Sequence, residues 1–552
     1  MMKRILALLL SLALIAGLTS LVAAEEPKGK LVILHTNDVH GRALADPVGG
    51  YLGYAAISQY KKDLEAAGDS VLLLDAGDAS QGTPLVNLAY GKNAIHFLNA
   101  VGYHAMTPGN HEFDWGVDNL KQLAGEANFP ILAANIVDHL SGELVFAANK
   151  VFEMANGLKV GVFGLTTPET FTKAHPDKVR GIDFLQGEKL MEVAKAQVEE
   201  LKAAGADVIV LLSHLGMDEE SAPNRSVDVA EQVPGIQLII DGHSHTLLEK
   251  GMEVGESLIV SAGYHGTNLG VVTFEEDKFT AKLFNSLKKS AVVEHDGAVY
   301  SVILTAKLDP EIEALVTAAD LAVKEELSTV FAKTEVRLNG DRDPGNRTEE
   351  TNLGDFAADA ILWAARQALG EQVQAAITNG GGIRASIEIG DISMNDMKTV
   401  FPFGNEVSVL ELKGSELLEA LEAATHSTPR AIGAFPQVAG MVFTIDTTVP
   451  FEEGEQYPES TYFAPKNPGA RVTIESVGGQ PFDLEAIYVV ATNDFTAAGG
   501  DTYYAFRYPN ATSGYKTGLA LEDALVRYVT EVLDGVVGEQ YAEPQGRITV
   551  VK

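Results

Sequence analysis

Two α/β domains joined by a helix are what this chain of 552 residues predicts. Three observations lead there. The length exceeds what a single hydrophobic core ordinarily serves. Short β-branched or leucine-rich runs alternate with helix-periodic stretches from residue 31 to about 305, and again from about 330 to the end. Between those regions lies a polar, helix-favouring segment.

Hydrophobic residues make up 46% of the chain and charged residues 21%, an ordinary globular balance. Lys and Arg number 41 against 76 Asp and Glu, a net charge of -35. So acidic a surface argues against a nucleic-acid polymer as partner, because phosphate backbones are held by clustered cations. A small anion remains possible where positive charge is concentrated locally. The absence of cysteine excludes disulfides, thiolate metal sites and cysteine nucleophiles together, so any metal must sit among His, Asp, Glu and Asn.

The chain begins "MMKRILALLLSLALIAGLTSLVAAEEPKGK". Lys3 and Arg4, an apolar run, and the small residues Val22-Ala23-Ala24 have the order of an export signal over residues 1–24. The mature protein is then soluble and secreted or periplasmic, with no stable membrane insertion after cleavage. The run is also long enough to act as an uncleaved anchor. Over residues 29–308, "KLVILHTND", "SVLLLDAGD", "KVGVFGLT", "DVIVLLSHLG" and "IQLIIDGHSH" read as strands. "YAAISQYKKDLEAAG" and "EKLMEVAKAQVEELKAAG" read as helices, each closed by a glycine. Asp309-Pro310 opens a connector helix over 309–328, and a second α/β domain fills 329–552.

Polar residues gather where the apolar runs of the first domain stop, which is where open α/β sheets bind ligands. Asp38 and His40 stand two apart, as do His243 and His245; on an extended segment each pair projects to one side. His35 and Asn37 have the opposite parity and read as structural. With Asp78, Asn110 and His214 the candidates reach seven N/O ligands, of which Asp38 and Asp78 are anionic. One tetrahedral metal leaves three unused, whereas two divalent ions sharing Asp78 use all seven. Such a centre carries net positive charge and attracts a phosphate. Imidazole with carboxylate suits zinc, manganese, iron or nickel.

"LHTNDVHG", "GDASQGTP", "GNHEFDWG", "SHLG" and "DGHSH" together resemble the signature blocks of the calcineurin-like metallophosphoesterases, and more narrowly those of the secreted bacterial 5'-nucleotidase/UDP-sugar hydrolase family. The resemblance implies a four-layer αββα catalytic sandwich, a helical connector and a C-terminal α/β nucleotide-binding domain. It implies one ion on Asp38, His40, Asp78 and His245 and another on Asp78, Asn110, His214 and His243, with zinc or manganese foremost. It also implies a His111–Asp114 pair that stabilises the transition state while metal-activated hydroxide attacks phosphorus in line.

In the second domain, "TNGGGIR" follows an apolar run. Glycines there allow close backbone approach, and Arg384 can take an oxyanion through two parallel hydrogen bonds. Phe403 in "FPFGNEV" and Phe495 in "ATNDFTAAGGDTY" lie in turns, where a core role explains them poorly, and can sandwich a planar base. Asp501 can accept from ribose hydroxyls. The family resemblance adds Arg347, Asn379, Gly382, Asn405 and Gly433 to the nucleotide contacts. Small-molecule nucleotides are therefore the expected partners. The expected reaction is removal of phosphate from nucleoside 5'-phosphates. Hydrolysis of 2',3'-cyclic nucleotides or UDP-sugars at the same centre is the alternative, and non-catalytic nucleotide binding a more distant one.

Overall fold

The computed structural model describes residues 29–47, 49–285, 290–295, 298–303, 306–458, 460–507 and 512–552. The predicted export signal, 1–24, lies outside the described residues.

In the first domain, strand Leu31–Thr36 pairs in parallel with Ser70–Asp75, which pairs in parallel with Ala105–Met106. Two antiparallel strands, Leu269–Glu275 and Lys278–Phe284, complete this sheet of five. A second sheet, of six strands, is built around Lys159–Thr166, Val208–His214 and Leu238–Ile240, again in parallel. Period-2 alternation decides how the two meet. Leu31, Ile33, Leu72 and Leu74 of one sheet pack against Val160, Val162, Val208 and Val210 of the other. The opposite faces are covered by helices: Leu34 and Leu73 lie under Gly53–Ala66 and Lys92–Val101, and Leu211 and Ile239 lie under Glu188–Ala203. Four layers, helix–sheet–sheet–helix, follow from strands that are apolar on both faces.

The helix read as a connector spans Pro310–Glu326, and Asp309 caps it by accepting from the Glu311 amide at 3.1 Å. Its fourth-residue pair, Ile312 and Val316, is buried in the same core as Leu52, Tyr54 and Phe97. The helix therefore belongs to the outer layer of the first domain instead of standing free between the two. Its pattern reads as polar because the buried stripe is only these few residues wide.

The second domain carries a mixed five-stranded sheet in the order Pro436–Ala439, Ala375–Asn379, Ile487–Asn493, Glu406–Lys413 and Thr512–Ala520. Helices Asn352–Leu369 and Leu521–Glu531 cover one face, and Gly414–Ala424 with a four-stranded sheet covers the other. Among the described residues no helix is long and apolar enough to cross a membrane.

Candidate functional site

The carboxyl ends of the parallel strands in both sheets of the first domain converge, and seven side chains meet there. His40 Nε2 lies 3.2 Å from His245 Nε2 and 3.8 Å from Asp78 Oδ2. His214 Nε2 is 3.3 Å from the same Asp78 oxygen, and His245 Nε2 is 3.5 Å from Asp38 Oδ1. His243 Nδ1 sits 2.9 Å from Asn110 Oδ1. Asp78 Oδ2 thus stands between two groups of ligands.

The structure brings together the residues that the spacing argument singles out, but not through the extended geometry that the argument assumes. Asp38, His40, Asp78, His243 and His245 are not extended; their φ angles are 50°, 48°, 57°, 71° and 57°. Left-handed turns, rather than strand parity, aim these side chains. Such conformations cost energy for non-glycine residues and persist where the surroundings hold them. Glu112, which sequence reading passed over, supplies much of that hold. Its carboxylate accepts from the amides of Asp78, Ala79, Ser80 and Gly109 at 2.7–3.0 Å, pinning two ligand loops together. Asn37 does the same on the other side, donating to Asp38 Oδ2 at 2.8 Å and to the Gly263 carbonyl at 2.6 Å. Gly109 is required for contact, since a Cβ there would lie 2.2 Å from Asp78 Oδ1.

The donor set fits a divalent cation. His214 Nδ1–H donates to the Ala76 carbonyl at 2.6 Å, so the other ring nitrogen points inward, buried and without a hydrogen-bond partner. Asp38, His40 and His245 can share one ion, and Asp38, Asp78 and His214 also lie close enough to share one. Electrostatics agree. Burial opposes charge on His214, yet Asp78 and Asp38 drive it up to about 10. Burial works to raise Asp78 too, but His214 and His111 hold it well below the usual carboxylate range. Burial lifts Asp38 to about 7. The two buried carboxylates thus favour positive charge on the group between them.

Beside the cluster, His111 Nδ1 pairs with Asp114 Oδ2 at 2.9 Å, and the two side chains are largely buried. Burial works against the imidazolium, but Asp114 and Asp78 outweigh it and raise the His111 pKa.

The second domain closes over this floor. One cleft of about 630 Å³ is lined by Asp78, Asn110, His111, Asp114, His243 and His245 from below, and by Arg347, Asn379, Gly382, Arg384, Phe403, Asn405, Gly433, Phe495 and Asp501 from above. Asp38, His40 and His214 lie beneath its floor. Phe403 stacks on His111 at 5.5 Å between ring centroids and faces the Arg384 guanidinium at 5.6 Å. Phe495 departs from expectation: it lies in the short helix Asp494–Ala497 and is buried, with its ring against Gly500. A turn-like sequence rich in small residues conceals that packing. Asp501 accepts from Asn379 Nδ2 at 3.0 Å, and Gly433 leaves the space beside its carboxylate open. The triple glycine divides its duties. A Cβ on Gly380 would meet the Asn346 carbonyl at 1.9 Å and one on Gly381 the Gly433 carbonyl at 2.9 Å, whereas one on Gly382 would meet a side chain instead of backbone, Asn379 Oδ1 at 3.1 Å. Two glycines thus serve close backbone packing, while Gly382 lines the cleft beside Asn379.

Burial depresses Arg347 well below the ordinary guanidinium range, and burial with the nearby Arg342 brings Arg384 down to about 10. Three guanidiniums, those of Arg342, Arg347 and Arg384, crowd one wall. Arg342, close to Arg347 in sequence, stands on the same wall, and its Nη1 reaches across to His245 Nδ1 at 3.0 Å.

Residues 31–247 match the calcineurin-like phosphoesterase family model, and residues 330–508 match that of the 5'-nucleotidase C-terminal domain. A 5'-nucleotidase of Vibrio cholerae is 32% identical over 90% of this chain and 91% of its own length. The chain belongs to the 5'-nucleotidase family. Protein UshA of Escherichia coli, at 30% identity, aligns over 98% of both chains. The crystal structure of a 5'-nucleotidase precursor from Thermus thermophilus superposes with a TM-score of 0.75 at 31% identity, covering 95% of this chain and 99% of that one. The protein is accordingly a hydrolase with a metallophosphoesterase domain.

Proposed function

We propose that this 5'-nucleotidase family member releases phosphate from nucleoside 5'-phosphates, using two divalent ions held by Asp38, His40, Asp78, Asn110, His214, His243 and His245. One observation carries the reading: the ligand cluster and the arginine–aromatic wall open onto the same cleft, although they belong to different domains. When bound, the ions supply Lewis-acid activation of water and neutralise charge on the phosphoryl oxygens.

The chain's own groups do the rest. Arg342, Arg347 and Arg384 take the phosphate side. Were His245 to give its other nitrogen, Nε2, to an ion, its proton would lie on Nδ1, and Arg342 would then be free to take an anion. Phe403 and Phe495 hold the base and Asp501 the ribose. His111, oriented by Asp114, donates toward the phosphoryl group and stabilises the charge that builds there. Water adds to phosphorus, the P–O bond to the 5'-oxygen breaks, and the departing oxygen takes a proton.

The test is differential. Phe403→Ala should raise KM for AMP several-fold while leaving kcat/KM for a generic aryl phosphate within about twofold, since a stacked base face is worth about 1–3 kcal/mol. Equal losses on both substrates would remove the base clamp. The same assay over ADP, UDP-glucose and 2',3'-cAMP ranks the alternatives. These deserve a place because a Bacillus subtilis relative, 33% identical over 86% of this chain but matched over only 32% of its own length, is named a trifunctional nucleotide phosphoesterase.

A further inference from the structure

Behind His243 lies a carboxylate to which neither sequence nor family resemblance gave a part. Glu169 follows strand Lys159–Thr166, is 2% exposed, and places Oε2 3.1 Å from His243 Nε2. The other nitrogen of that ring, Nδ1, shares its direction with Asn110 Oδ1 at 2.9 Å. With Nδ1 turned toward the ion position, Nε2 carries the proton and donates it to Glu169. A carboxylate behind a metal-binding imidazole sets the tautomer, stops ring rotation and strengthens the nitrogen as a donor.

Glu169 is also tied to the other domain. It leads into the single helical turn Thr170–Lys173, and the amides of Thr172 and Lys173 both donate to its carbonyl at 2.8 Å. Lys173 Nζ, 15% exposed, lies 3.9 Å from Glu169 Oε2 and 3.6 Å from Asp501 Oδ1, and faces the Tyr462 ring at 5.3 Å. The Asp501 amide donates to the Thr172 carbonyl at 2.7 Å. One short turn of the first domain thus contacts a metal-ligand histidine at one end and the expected ribose carboxylate at the other.

We propose that Glu169 is a positioning residue for the ion site of Asn110, His214 and His243, and that Lys173 joins it to Asp501, so that divalent-ion affinity and nucleoside affinity are linked. The inference rests on the functional reading above. By reciprocity, whatever tightens one ligand tightens the other by the same factor.

Calorimetric titration of the metal-stripped full-length protein with Mn²⁺, alone and with saturating adenosine, tests both halves. Adenosine has no phosphate with which to ligate the ion. Wild type should bind two ions, one of them more tightly when adenosine is present. Glu169→Ala should weaken one ion about 10–100-fold. Glu169→Gln, which keeps an acceptor oxygen, should recover part of that loss. Lys173→Met should bind Mn²⁺ alone like wild type and lose the adenosine effect. Wild-type Mn²⁺ affinity in Glu169→Ala, or in Glu169→Gln should the alanine variant not fold, overturns the positioning role. An adenosine effect that persists in Lys173→Met, or that is absent from wild type, overturns the link. Failure of the wild type to bind two ions would instead remove the functional reading on which both depend.

Discussion

Asp78 occupies the point where both ligand groups meet, and its two oxygens are used differently. Oδ1 accepts the His111 amide at 2.9 Å, while Oδ2 faces His214 and His40. The backbone contact orients the carboxylate without consuming the oxygen aimed at the cluster. His111 is distinct from these ligands: its ring is held by Asp114 and turned to the cleft, so it can act on substrate without holding an ion. His111→Ala should lower kcat at least ~100-fold at full metal occupancy, the ordinary scale for an acid or electrostatic catalyst. Metal content by atomic spectroscopy, measured with steady-state turnover, checks this; unchanged kcat in a replete variant refutes the role. The motif "GNHEFDWG" shows which residues to suspect, but not that its Glu112 would serve as a pin for two loops. A glutamate beside a histidine in sequence carries no sign of the four amides that it will accept.

At the scale of elements, strand ends and caps decide what is rigid. The ligand turns are held by side chain to backbone contacts, and the helix Pro310–Glu326 is held by its cap. Asp309 is 1% exposed, accepts from the Glu311 amide, and bonds Ser58 Oγ at 2.5 Å and Lys62 Nζ at 2.7 Å. Asp309→Ala should cost about 1–2 kcal/mol. That appears as a lower denaturant midpoint with KM for AMP unchanged, because no residue of the helix lines the cleft. The start signal Asp-Pro was legible because capping is local chemistry. That the helix is fastened to the first domain was not, because burial of Ile312 and Val316 depends on partners some 250 residues earlier.

Across the whole molecule, closure and charge act together. The domains touch through Arg430–Glu219 at 2.9 Å and through Asn87 Nδ2 to the Pro402 carbonyl at 3.2 Å, as well as through the turn at Lys173. If product leaves by domain opening, a cleavable bifunctional thiol cross-linker joining Glu219→Cys to Arg430→Cys should abolish most turnover, and cleaving the linker should restore it. No native cysteine competes for the linker. A second whole-molecule consequence comes from His214. Its folded pKa of about 10 exceeds the unfolded value of 6.5, so the stability it contributes is complete below about pH 6.5 and is lost as pH rises through 10. The Tm of metal-stripped protein should therefore fall from pH 7 to pH 10. Saturating Mn²⁺ should suppress the fall, because an ion then replaces the proton. A flat profile without metal would rule this out.

The sequence by itself determined which residue types stand at the strand ends, where the strands and helices run, and which chemistry those residues can support. These are local matters: periodicity, caps, and ligand atoms within a few positions of one another. The tertiary structure decided how the ligands are aimed, through left-handed turns that no spacing rule implies. It decided that Phe495 is buried, and that the turn holding Glu169 and Lys173 touches both His243 and Asp501. Each of those depends on atoms distant in sequence brought to within a few ångströms, and the energy of such contacts belongs to the pair rather than to either residue's neighbourhood in the chain.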